Sequence, residues 1–217
     1  MIKNKMALLG AAATLGVMGG AFVSPAQAIT LNGFDSWFSA GGVTVGDKTF
    51  TLDSFSANWA NADININEIG VGSGIYQVAV NPINASTPDT YTFRYSVTVN
   101  DPNFTIVSAN LNSNVTNATT TTNVTSGGFG GTALGSSPLV STGVLATTGL
   151  FGGQSTVFFE NSTVLDSAPG SVINSVSNTV TQVPVPWETD ALSVIGVTTL
   201  FGFGVWNKRK RKVDLSK

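Results

Sequence analysis

The residues from Thr90 to Val99 carry the strongest constraint on what this chain can fold into. Tyr91, Phe93, Tyr95, Val97 and Val99 alternate there with Thr90, Thr92, Arg94, Ser96 and Thr98. Side chains of an extended strand point alternately to opposite faces, so this spacing gathers every large apolar group on one side. That side requires a core to lie on, and the hydroxyl-rich side requires water. Weaker alternation recurs at 44–52, 75–80, 104–111, 156–159 and 172–180. Turn-forming residues separate these runs: the glycines at 70, 72 and 74, Asn81-Pro82, Pro88-Asp89 and Asn100-Asp101-Pro102. Short strands punctuated in this way, without an amphipathic helix between them, predict a mainly β fold: a single antiparallel β-sandwich or jelly-roll-like domain. A barrel fits the same pattern.

Between 112 and 151 the composition shifts to Thr, Ser, Asn and Gly, as in the threonines 119–122 and Gly127-Gly128-Phe129-Gly130-Gly131. Few large side chains remain to bury, which predicts loops or exposed edge strands there. The N-x-S/T acceptor pattern occurs at Asn84, Asn103, Asn114, Asn117, Asn123 and Asn161, so the stretch is also a candidate for attached sugar.

The two ends of the chain read differently. Lys3 and Lys5 precede an uncharged run, 6–23, and then Ser24-Pro25-Ala26-Gln27-Ala28. This is the charged, apolar and small-residue order of a secretory signal peptide, residues 1–28, with Ala26 and Ala28 as the signal peptidase box and Ile29 as the first mature residue. Near the other end, residues 191–206 are uncharged and Lys208, Arg209, Lys210, Arg211 and Lys212 follow. As a helix that run covers about 24 Å, slightly less than a hydrocarbon core, and Trp187 and Trp206 suit its two interfaces. The basic tail sets the topology, holding the C-terminus in the cytoplasm and the body of the protein outside.

Within 29–182, the exported β-rich domain, Lys48 and Arg94 are the only cations, against nine Asp and Glu, a net charge of −7. No run of phosphates can be neutralised by such a surface, so no nucleic-acid partner is expected. The chain has no cysteine and no histidine. Disulfides are therefore excluded, and the commonest general base and transition-metal ligand are missing. No cofactor and no resident metal are expected.

Just before the apolar run stands Val183-Pro184-Val185-Pro186-Trp187-Glu188-Thr189-Asp190-Ala191-Leu192. Its prolines favour an extended segment able to present side chains to a processing enzyme. The motif at 183–192, the helix at 191–206 and the basic cluster at 208–212 together resemble the PEP-CTERM sorting signal, in a cyanobacterial V-P-x-P-W-E-x-D-A-L form spanning 183–217. The resemblance implies recognition by an exosortase-like membrane protease, with Pro184, Pro186, Trp187 and Glu188 as the recognised residues. The familiar order is Pro-Glu-Pro, whereas Trp187 and Glu188 follow Pro186 here. Exported proteins of this group also often show a G-D-K-x-F stretch, matched by Gly46-Asp47-Lys48-Thr49-Phe50 but without the preceding cysteine of related sequences. A turn at Gly46-Asp47 between two strands accounts for the same residues.

Catalytic chemistry finds little support. Asp63-Ile64-Asn65-Ile66-Asn67-Glu68 starts like a calcium loop, but Glu68 stands where the turn glycine belongs and Gly74 where the bidentate Glu belongs. Ile64 and Ile66 suit a half-buried strand instead. A Ser/His/Asp triad is excluded without histidine, no G-x-S-x-G elbow or phosphate loop is present, and nothing singles out a carboxylate pair among Asp47, Asp53, Asp63 and Glu68. Among aromatics, Tyr91 and Tyr95 share the core face of the 90–99 strand, leaving Trp37 and Trp59 as candidates for a sugar-stacking platform. The expected function is a non-enzymatic cell-surface or extracellular-matrix protein of structural or adhesive type. Its partners would be the Sec translocon, signal peptidase, the exosortase-like protease and the membrane. A surface carbohydrate-binding module facing extracellular polysaccharide is the first alternative, a calcium-stabilised surface domain the second.

Overall fold

The computed structural model describes residues 28–59, 61–70, 72–82 and 86–185. In chain order these form β1 (Ala28–Asn32), α1 (Phe34–Ala40), β2 (Val43–Val45), β3 (Lys48–Phe55), a 3₁₀ turn (Ala57–Trp59), β4 (Asp63–Glu68) and β5 (Ile75–Asn81). Then come β6 (Thr90–Val99), β7 (Phe104–Thr116), β8 (Ala118–Ser126), β9 (Thr132–Ala133), β10 (Leu139–Ser141), β11 (Ala146–Thr147), β12 (Thr156–Leu165) and β13 (Val172–Pro184). The signal peptide, the apolar run 191–206 and the basic tail lie outside the described residues. Among the described residues no helix is long and apolar enough to cross a membrane.

The strands build two antiparallel sheets in a sandwich-like, mainly β arrangement. One sheet has the order β1-β4-β5-β13-β7-β11, and the other β10-β8-β12-β6-β3-β2 with β9 beside β8. The 90–99 strand spans the predicted residues and sits at the centre of the second sheet, between β12 and β3. Tyr91, Phe93, Tyr95, Val97 and Val99 are all buried, as period two requires. They join Ile64, Ile66, Val78, Val80, Ile106, Leu111, Val176 and Val180 from the first sheet in one continuous core. The Asp63–Glu68 segment is β4, held between β1 and β5, with Ile64 and Ile66 fully buried.

Two expectations are corrected. A helix does occur between the first two strands: α1 buries Phe34 and Trp37, three residues apart on one face, and ends at Gly41 in the left-handed conformation. The 112–151 stretch is also more ordered and more internal than expected. Its first part completes β7 and then forms β8, an interior strand between β10 and β12, while β9, β10 and β11 are the short edge strands that were expected. Asn117, at φ 49°, makes the tight reversal that carries the chain from one sheet to the other.

Threonine explains the discrepancy. It is β-branched and favours strands, and its hydroxyl can be buried once paired. Inside the sandwich Thr120 and Thr163 pair at 3.0 Å, and Thr122 donates to Asn161 at 2.7 Å. Asn178 donates to Thr122 at 3.4 Å and accepts from the Tyr95 hydroxyl at 3.1 Å. An apolar, aromatic half of the core thus grades into a half held by hydrogen bonds.

Candidate functional site

The outer face of the second sheet carries the cleft. Register sets Ser54 of β3 opposite Arg94 of β6, Arg94 opposite Glu160 of β12, and Glu160 opposite Asn123 of β8. Neighbouring strands lie about 4.8 Å apart, so this row spans about 14 Å across the sheet. Thr92 and Ser162 form the next pair beside it. A bulge between Leu52 and Ser54 sets both Asp53 and Ser54 on the wet face and returns Phe55 toward the core. Without that extra residue Ser54 would point inward.

Over this floor lies a cleft of about 420 Å³, within the size range of small-ligand sites. An Arg94 Nη2 donates to Glu160 Oε1 at 2.9 Å, and the guanidinium lies 6.0 Å from the Phe129 ring. Phe129 packs edge-on against Phe158 of β12, with ring centroids 5.2 Å apart. The Gly127–Gly131 loop that carries it is closed by the Gly131 N–H donating to Gly128 O at 3.1 Å. A Cβ on Gly131 would meet Ser126 O at 2.1 Å, so only glycine allows this close approach. At the other side Phe55 borders the cleft, with the exposed Phe38 ring 6.5 Å away. The cleft lining therefore combines an internally neutralised ion pair, hydroxyls and the amides of Asn123 and Asn161 with one aromatic side chain, Phe55. Its lining contains one carboxylate, Glu160, already bound to Arg94, so two-carboxylate hydrolysis has no pair to use there.

A second polar cluster closes one end of the sandwich. Of the G-D-K-x-F residues, Gly46 and Asp47 form the turn between β2 and β3, and Lys48 to Phe50 open β3. Phe50 is core. The Lys48 side chain is fully buried: its Nζ donates to Asp47 Oδ1 at 2.6 Å and to Gln182 of β13, and lies 4.7 Å from the centre of the Tyr76 ring. Tyr76 donates to the same Asp47 oxygen at 2.7 Å. Gly46, at φ 56°, passes so close that a Cβ would meet the Tyr76 hydroxyl oxygen at 2.7 Å. Burial holds the Lys48 ammonium below the usual lysine range, with Asp47 opposing the shift. Burial raises Tyr76 beyond the usual phenol range, and Asp47 reinforces it. The cluster ties both sheets together and is a structural staple.

The sequence-derived sugar platform is corrected. Trp37 and Trp59 are both 0% exposed. Trp37 lies 5.6 Å from the Tyr95 ring and donates to Phe50 O at 3.2 Å, while Trp59 packs edge-on against Tyr91 and Phe93. Both serve the aromatic core, because α1 and the 3₁₀ turn fold them inward. Asn161 is buried as well and unavailable as a sugar acceptor, whereas Asn103, Asn114, Asn117 and Asn123 are exposed. Among the described residues no cluster of three potential metal-binding side chains occurs. Asn65 of the would-be calcium loop accepts from Thr30 across the β1–β4 pair at 2.9 Å.

Of the recognition residues in the sorting motif, Pro184 is described: it closes β13 opposite Phe104. The next N–H, Val185, donates to Asn103 O at 2.8 Å. Pro186, Trp187 and Glu188 lie outside the described residues, as does Ala26, while Ala28 is the first residue of β1. Sequence reading missed the cleft because Arg94, Glu160 and Asn123 are far apart in the chain. The one available signal was the polar face of the 90–99 strand. No known protein family and no curated protein matches the chain.

Proposed function

We propose that this is an exported surface or matrix protein of structural or adhesive type, a single β-sandwich delivered by the Sec route and sorted through its C-terminal signal. The observation that carries the reading is the agreement of boundaries. Among the described residues the β-structure starts at Ala28, the last residue of the signal peptidase box, and its final strand ends at Pro184, the first proline of the sorting motif. Cleavage at both places would release the sandwich intact with almost no spare chain. Val185 is still bonded to Asn103, and Pro186, Trp187 and Glu188 follow it directly in the chain. An exosortase-like protease would then meet its recognition residues between a folded domain and the membrane, with residues 191–206 as the temporary anchor and the tail from Lys208 to Lys212 in the cytoplasm. A mainly β body without disulfides, acidic and hydroxyl-rich outside, suits exposure to an aqueous matrix.

Intact mass of the protein from membrane and medium fractions of its native host tests the reading. The expected medium species starts at Ile29 and ends before Ala191, and Glu188→Ala abolishes it. A wild-type protein that stays full length in the membrane, unaffected by the substitution, would overturn sorting with cleavage.

A further inference from the structure

We propose that the cleft on the outer face of the second sheet binds a short segment of neutral polysaccharide. The proposal deepens the adhesive reading and rests on it only for the presence of glycan around the protein. Four observations select this chemistry. Arg94 is the one exposed cation among the described residues, because Lys48 is buried, and Glu160 already neutralises it. With the domain at a net charge of −7, polyanions such as nucleic acid or uronic-acid polymers are repelled. The cleft lies on a sheet face whose backbone groups are engaged by β3, β6, β8 and β12, so it offers no free edge for an added peptide strand. Its lining of hydroxyls, amides and an ion pair is too polar for an apolar ligand.

A pyranose is the complement of such a site. It carries donor-acceptor hydroxyls around its rim and an apolar C–H face. The guanidinium of Arg94, paired with Glu160 and 6.0 Å from the Phe129 ring, offers its remaining N–H groups on its planar fork, and the second Glu160 oxygen accepts. Asn123 in the row and Thr92 and Ser162 in the pair beside it supply further partners, and Phe55 borders the cleft where a C–H face would pack.

The test uses the full-length chain in a polyoxyethylene detergent, since a maltoside would compete. It is titrated calorimetrically with gluco-, manno-, galacto- and xylo-configured hexasaccharides, with oligogalacturonate as the acidic control. Binding to at least one neutral series is expected, weakened about tenfold or more by Arg94→Ala, where hydrogen bonds from a charged donor are lost. Asn123→Ala, at an exposed position, is expected to weaken binding without shifting the melting temperature, while Val140→Ser on the same sheet leaves binding unchanged. Tighter binding of oligogalacturonate, no binding to any neutral series, or binding indifferent to both Arg94→Ala and Asn123→Ala would overturn the proposal. Any of these results leaves the Glu188→Ala mass comparison untouched, so failure of the cleft and failure of the sorting reading are separable.

Discussion

Lys48 and Asp47 are expected to respond unequally to substitution, because the pair is buried asymmetrically. The Lys48 side chain is fully enclosed, while that of Asp47 keeps 22% exposure. Asp47→Ala leaves an ammonium in the interior with Gln182 as its remaining hydrogen-bond partner, and it also removes the acceptor of the Tyr76 hydroxyl. Losing one member of a buried pair costs about 3–5 kcal/mol. Lys48→Met keeps the packed stem and removes the desolvation cost of the charge. It leaves Asp47 partly exposed and still bonded to Tyr76, although its Oδ2 is enclosed, so the expected loss is about 1–3 kcal/mol, below that of Asp47→Ala. In the double variant the stranded ammonium is gone, so the total should fall below the sum of the singles by about 0.5–3 kcal/mol, the range found for contacting residues. Urea unfolding followed by far-ultraviolet circular dichroism, with unchanged slopes, measures all three. Lys48→Met as costly as Asp47→Ala, or a double variant that costs the full sum, would refute the argument that the buried ammonium dominates this cluster.

The pH dependence follows from groups with known signs. All three tyrosines are raised above the ordinary phenol value, Tyr95 most plainly by complete burial and Tyr91 by burial with Asp89 adding to it. A raised folded value means that the folded state keeps a proton the unfolded chain loses above about pH 10, so stability falls as pH rises beyond that point. Lys48 acts oppositely: its lowered value makes stability rise with pH until about 10.4, after which its contribution is constant. Tyrosinate absorbance should therefore stay low beyond pH 10 and then emerge together with the loss of circular dichroism; early, independent ionisation of all three would contradict their burial. Trp59→Ala should cost about 3–5 kcal/mol in the same urea assay, because it empties the space between Tyr91, Phe93 and Phe34. A near-neutral result would mean that the ring lies on the surface after all.

How much of this was legible in the chain itself depends on the distance over which each feature is decided. The 90–99 strand was readable to the residue because a strand's two faces are set by local alternation, and burial of Tyr91 and Tyr95 followed from Phe93 and Val97 beside them. The same local logic gave Ile64 and Ile66 to a strand, and Gly46-Asp47 to a turn. Charge balance, the absence of cysteine and histidine, and the segments that read as export signals are likewise properties of sequence alone.

Tertiary structure decided the rest. Trp37 and Trp59 look free in the sequence, since nothing adjacent reveals that α1 and a 3₁₀ turn will fold onto β6 from opposite sides of β3 in the chain. Thr120 and Thr122 look like surface residues until Thr163 and Asn161, some forty positions away, arrive opposite them to satisfy their hydroxyls. Lys48 can be buried because Gln182, from the last strand, reaches it. The cleft has the same origin: β3, β6, β12 and β8 align Ser54, Arg94, Glu160 and Asn123 through cross-strand register, a relation that hydrogen bonding between distant segments creates and local pattern does not encode.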